Sequence, residues 1–263
     1  MTVEVSESVV AVPGGEVFVR QWDPGPGGKL PFVLLHDSLG SVEQWRAFPD
    51  ALATATSRRV VAYDRVGFGR SSPRTDPPSA GFIDDEAKLS FPAVARELAL
   101  HGYVLFGHSV GGAMALTIAA HQPDSCHAVI TESAQAFVAE RTLAGIRAAK
   151  EGFRDAAQFS KLTRWHGERA RWVLEAWTEA WLSPAFRTWS LDDRLGKIQC
   201  PVLAIHGDTD EYGSCDFPRR IATGVRGPAQ MEILAACGHV PHREKEGEVL
   251  RLVRAFLEEH AIR

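Results

Sequence analysis

The stretch "FGHSVGGAMALTIAA", residues 106–120, sets a serine between glycines, directly after an apolar run and directly before a helix-like one. The run YVLFG (103–107) predicts a buried strand, and the small apolar residues from Val110 onward predict a helix. Ser109 therefore falls on a sharp strand-to-helix turn, whose apex pushes a side chain clear of its neighbours. The flanking positions must be small, because the turn crowds them against adjacent backbone, and Gly107 and Gly111 meet that need. The free amides and the positive end of the helix dipole point at the same spot, so the hydroxyl stands beside a place where negative charge is stabilised. Alone, G-x-S-x-G is a weak pattern, and its surroundings decide its meaning.

Outward from that turn, apolar runs alternate with helical patterns. PFVLLH (31–36), RRVVAYD (58–64), YVLFG (103–107), AVITE (128–132), PVLAIHG (201–207) and QMEILA (230–235) have the look of buried parallel strands. Amphipathic stretches around 41–53, 85–100, 110–121 and 216–223 lie between them, and GEVLRLVRAFLEEH closes the chain with Val249, Leu252, Val253, Phe256 and Leu257 at helical spacing. Ahead of all this, SVVAVPGGEVFVRQWD predicts a hairpin turning at Pro13-Gly14-Gly15, the antiparallel edge. The alternation predicts a mostly parallel α/β sheet flanked by helices on both faces.

One stretch breaks the rhythm. From about 134 to 191 the pattern is helical throughout and holds Trp165, Trp172, Trp177, Trp181 and Trp189, five of the seven tryptophans. Large aromatics pack small helices wherever they occur, and they also build an apolar lid over a pocket; both roles fit this segment.

A serine hydroxyl is a poor nucleophile, so acyl transfer needs a base to take its proton and a carboxylate to orient that base. PVLAIHGDTDEYG places acids just past a strand end, on the rim where open parallel sheets put their sites, and ACGHVPHREKEGEVL places His239 in a loop after the last strand. The order along the chain is then Ser109, Asp210, His239. Asp208 and Glu132 are rival acids, Asp208 resembling a turn former. His242 is the rival base, and Cys237 fits a small packed residue better than a nucleophile.

With LLHDSLGS, YDRVGFGRSS, GHSVGG, PVLAIHGDTDEY and GHVPHRE in place over nearly its whole length, the chain resembles the α/β-hydrolase superfamily, as a capped, serine-nucleophile, esterase-like member. The resemblance implies His239 as base, Asp210 as acid, residues 134–191 as a helical cap inserted after the sixth strand, and 1–133 with 192–263 as the core. It also implies an oxyanion hole built from the backbone N–H groups of Ser38 and Val110, each worth about 3 kcal/mol in the transition state. The family usually has His-Gly at the start of that loop, whereas this chain has His36-Asp37, so Asp37 either turns away from the site or binds part of the substrate. Asp37, His108, Trp165 and Trp181 are the candidate pocket residues.

Composition narrows the partners. The chain has 263 residues, 45% hydrophobic and 24% charged, with a net charge of -4 and dispersed basic residues, which disfavours nucleic acid and anionic membrane. The first residues lack a secretory pattern, no window is long and apolar enough to span a membrane, and the four cysteines have no C-x-x-C pairing, so a cytoplasmic protein with free thiols is expected. YDRVGFGRSS lacks the third glycine of a dinucleotide loop and no H-E-x-x-H occurs, so no cofactor or metal is expected. A homodimer is left open.

The expected activity is a serine hydrolase cleaving a small, apolar or aromatic carboxylic ester through an acyl-enzyme. The alternatives are a carbon–carbon bond hydrolase or lactonase acting on aromatic-degradation intermediates, with Arg141, Arg147, Arg164 or Arg187 supplying a cation, and a non-catalytic small-molecule receptor on the same fold.

Overall fold

In the computed structural model, which describes residues 2–263, the apolar runs become strands of a single sheet. They are β1 (Glu4–Val12), β2 (Gly15–Asp23), β3 (Phe32–Leu35), β4 (Val60–Tyr63), β5 (Tyr103–His108), β6 (Cys126–Glu132), β7 (Val202–Gly207) and β8 (Ala229–Leu234). The order across the sheet is β1-β2-β4-β3-β5-β6-β7-β8. β1 and β2 form the expected antiparallel hairpin, β2 joins β4 antiparallel, and every pairing from β4 to β8 is parallel.

The helices are α1 (Phe48–Thr56), α2 (Phe82–Asp85), α3 (Phe91–Glu97), α4 (Val110–His121), α5 (Glu140–Gly152), α6 (Ala156–His166), α7 (Ala170–Leu182), α8 (Asp192–Leu195), α9 (Asp216–Gly224), α10 (Pro241–Glu244) and α11 (Glu246–Glu259). A π-helical turn, Glu86–Ser90, runs from α2 into α3. Side chains of the central strands alternate between two cores: Val33, Leu35 and Leu105 meet α3, α4 and α9 on one face, while Phe32, Leu34 and Phe106 meet α1 and α11 on the other. α4 is buried from Val110 to Ala119 on all sides, which accounts for its lack of a polar face.

Two expectations change. QMEILA is not a buried strand: β8 is the sheet's second edge, with Met231 39% and Ile233 36% exposed. The helix foreseen from 41 begins only at Phe48, after a 3-10 turn at Val42–Trp45.

Between β6, the sixth strand along the chain, and β7 stand α5, α6 and α7, followed by the short α8. The two ends of this excursion are fastened together, Leu191 N–H donating to Ala136 O at 2.8 Å and Val138 N–H to Trp189 O at 3.2 Å. Trp181, Phe186 and Trp189 pack ring on ring beside that junction. Among the described residues no helix is long and apolar enough to cross a membrane.

Candidate active site

Ser109 has φ 55 and ψ -124, a conformation that L side chains avoid and that the surrounding packing must hold. Its N–H donates to Glu132 O at 2.8 Å, anchoring the turn to β6. The flanking glycines are dictated by contact: a Cβ on Gly107 would sit 2.2 Å from Gly111 O, and one on Gly111 would sit 2.0 Å from Leu35 O. The hydroxyl lies in a cavity of about 200 Å³ together with Ser38, Gln135, Trp177, Trp181 and His239. Its hydrogen-bond partner is Gln135, whose Nε2 donates to Oγ at 3.3 Å; among the described residues it makes no bond to His239.

His239 stands in the loop after β8 with both oxygens of Asp210 2.9 Å from its Nδ1. The Asp210 carboxylate also accepts the N–H groups of Tyr212 at 2.7 Å and Gly213 at 3.1 Å. Burial alone would push this acid up, but the His239 hydrogen bond and charge, with His206 and the Tyr212 amide behind them, bring it down to about 2. An ionised Asp210 at Nδ1 fixes the tautomer that leaves Nε2 free to accept a proton. His206 lies 3.3 Å from Asp210 Oδ2 without making a hydrogen bond, and burial lowers its pKa to about 4, so it stays neutral.

The rival groups are engaged elsewhere. Glu132 Oε2 accepts from His242 Nδ1 at 2.7 Å, and that ring packs on Trp45 and Phe48, outside the Ser109 cavity. Asp208 Oδ1 accepts the Cys237 N–H, a turn-forming role. Burial pushes the Cys237 thiol up to about 12, away from nucleophilic use.

The loop bearing Asp37 and Ser38 is tied down from below. Arg65 donates through Nη1 to His36 O at 2.9 Å and through Nη2 to Asp37 O at 2.8 Å. His36 Nε2 accepts the Arg65 N–H, so its Nδ1 is the donor to Asp37 O. Asp37 lines the cavity, but its carboxylate is occupied: Oδ1 accepts the Leu39 N–H at 2.8 Å and Oδ2 lies 3.2 Å from His108 Nδ1. Ser38 and Val110 both border a second cavity of about 470 Å³, and Ser38, Trp177 and Trp181 border the two cavities alike. The Val110 N–H, first in α4, has no intrahelical partner by position.

Other expected pocket residues are placed differently. Trp181 lines both cavities, whereas Trp165 lies in an outer groove with Phe153 and Leu162, because α6 turns that face away from Ser109. His108 lines neither cavity and sits behind the site. Arg141, Arg147, Arg164 and Arg187 are exposed and line neither cavity; Arg141 donates to the Asp210 carbonyl and Arg187 pairs with Glu140. Gln135, Tyr212 and Arg65 were not anticipated. Tyr212 packs edge-on against His239, and its place two residues after Asp210 was the one signal for it; Gln135 carries no sequence signal.

The chain is 24% identical to the proline iminopeptidase of Lactobacillus crispatus (strain ST1), over 88% of this chain and 91% of that protein. It is 28% identical to the serine hydrolase BPHL of Homo sapiens, over 97% and 87%. The crystal structure of the carboxylesterase CesB (YbfK) from Bacillus subtilis superposes with a TM-score of 0.73 at 21% identity, over 97% and 92%, a likeness of fold. Residues 31–246 match the family model for the alpha/beta hydrolase fold, and the chain belongs to that family.

Proposed function

We propose that the protein is a serine hydrolase of small, apolar or aromatic carboxylic esters, with Ser109 as nucleophile, His239 as base and Asp210 as the acid that orients it. The observation that carries this reading is the His239 Nδ1–Asp210 pair at 2.9 Å, opening on the same small cavity as a serine held at φ 55. On substrate entry the Ser109 hydroxyl exchanges its Gln135 contact for His239 Nε2; His239 takes the proton as Oγ attacks the carbonyl carbon. The oxyanion is received by the backbone N–H groups of Ser38 and Val110, and Asp210 stabilises the imidazolium. His239 then protonates the leaving alcohol, and water, activated by the same ring, releases the acid.

In this reading α5, α6 and α7 act as a cap, residues 134–191 over a core of 1–133 and 192–263, with Trp177 and Trp181 excluding water from the acyl-enzyme. A small aromatic-walled cavity favours a short apolar acyl or alcohol group. The absence of the four cap arginines from both cavities counts against a diketo-acid substrate bound through them. Hydrolysis of p-nitrophenyl acetate and butyrate tests the proposal: wild type turns both over, and Ser109→Ala lowers kcat/KM by about 10^4-fold or more. Equal rates in the two proteins would refute it.

A further inference from the structure

The larger cavity has a feature that the ester chemistry does not use. Its walls mix apolar side chains, Phe68, Phe82, Met114 and Trp172 among them, with charged ones, and the π-helical turn Glu86–Ser90 brings a nearly buried carboxyl group into the lining. Turns of that kind recur at functional positions in helices. Glu86 is only 7% exposed. Its Oε1 accepts the hydroxyl of Tyr63, itself 1% exposed, at 2.6 Å. Its Oε2 takes no hydrogen bond from any described residue and is not among the sealed, unpartnered atoms of the interior, which leaves it open to the cavity. A carboxylate oxygen that no protein group donates to is left for water or a ligand in the cavity to meet.

The surrounding charges restrict what can enter. Arg65, Arg74, Asp76 and Asp85 line the same cavity; Arg65 forms no ion pair with Glu86, its Nη1 and Nη2 being committed to the His36 and Asp37 carbonyls. An anionic arm would be repelled by Glu86, Asp76 and Asp85 and a cationic arm by Arg65 and Arg74, while an uncharged donor meets Oε2 without opposing either set.

We infer that this cavity is a subsite for one arm of the substrate, an apolar or aromatic arm ending in an uncharged hydrogen-bond donor, a hydroxyl or amide N–H, received by Glu86 Oε2. The inference rests on the hydrolase reading above, since Ser38 and Val110 join the cavity to the carbonyl being attacked. The two cavities then divide the substrate, a short group beside His239 and a longer, donor-tipped group toward Glu86. Burial raises the Glu86 pKa, and a bound donor offsets that cost by stabilising the charged form.

The test uses two matched ester series, varied in the acyl arm or in the alcohol arm, each with a phenyl-containing chain ending in methyl, hydroxyl, carboxylate or trimethylammonium. In one series the hydroxyl end is expected to exceed the methyl end by about tenfold or more in kcat/KM, and Glu86→Leu to bring that ratio near one, with Glu86→Gln keeping most of it. A ratio unchanged in Glu86→Leu, or a preference for either charged end, overturns the inference. A readout without turnover separates it from the hydrolase reading: phenylbutanol is expected to quench tryptophan emission at concentrations about tenfold lower than butylbenzene in wild type and not in Glu86→Leu. That result with no ester hydrolysis would sink the serine chemistry and leave the subsite standing; hydrolysis without it would do the reverse.

Discussion

The Asp37 carboxylate lies 3.2 Å from His108 Nδ1, and the other ring nitrogen of His108 lies 2.7 Å from the His239 carbonyl oxygen. With Nδ1 facing a carboxylate and Nε2 facing a carbonyl oxygen, both surroundings favour the doubly protonated ring. His108 thus stands between the loop of the proposed oxyanion donor and the loop of the proposed base, and its protonated form offsets an acid that would otherwise repel a developing oxyanion.

That pair makes the protein sensitive to alkali. Burial alone would lower the His108 pKa, but the Asp37 hydrogen bond and charge, the Glu132 charge and the His239 carbonyl outweigh it and raise it above its ordinary 6.5. His239 and His242 also face the ring, at 5.1 Å and 5.0 Å between centroids. A raised pKa gives stability that is complete below the unfolded value and is lost as pH rises through the folded one. Tm is therefore expected to fall from neutral to alkaline pH more steeply in wild type than in Asp37→Asn, and kcat to show an alkaline decline that Asp37→Asn flattens. His108→Ala, which leaves the part-buried Asp37 carboxylate without its histidine neighbour, is expected to cost about 1–3 kcal/mol in urea unfolding, with part recovered by adding Asp37→Asn.

Gly111→Ala is expected to destabilise the protein by about 3–5 kcal/mol, because its Cβ would stand 2.0 Å from the backbone oxygen of Leu35, where nothing flexible can yield. Gly247→Ala is the control: it lies near the start of α11 with open space around it, and is expected to stabilise by about 0.5–1 kcal/mol. Urea midpoints check both.

Gln135→Ala removes the contact that holds the Ser109 hydroxyl apart from His239 in the free protein. One neutral hydrogen bond of net worth about 1 kcal/mol sets the scale, so the second-order rate of modification by a fluorophosphonate is expected to rise about threefold to fivefold.

Asp210→Asn is expected to lower kcat by about 10^4-fold while keeping the native circular dichroism spectrum, since the amide at His239 Nδ1 would favour the wrong tautomer. Glu132→Gln, whose partner is His242, is expected to change kcat by less than about tenfold.

The central sheet was legible because Phe32–Leu35, Val60–Tyr63 and Val202–Gly207 are buried on both faces, a condition that writes itself as unbroken apolar runs. β8 misled because an edge strand can carry the same residues, Met231 and Ile233, half in solvent. At the site, Ser109 and its glycines were readable from the local crowding of the turn. Trp165 was not separable from Trp181, since which face of a helix meets a cavity depends on how the helices pack and not on spacing alone. Gln135, Arg65 and the charge on His108 arise from segments that meet only in the folded chain.

In the proposed mechanism Ser109 is the nucleophile that His239 activates. Intact-mass measurement after exposure to a fluorophosphonate, followed by peptide mapping, addresses it most directly. One adduct on Ser109 in wild type, none in Ser109→Ala and strongly slowed labelling in His239→Ala is the expected result; an unmodified Ser109 in the folded wild-type protein, or equal labelling in His239→Ala, would contradict it.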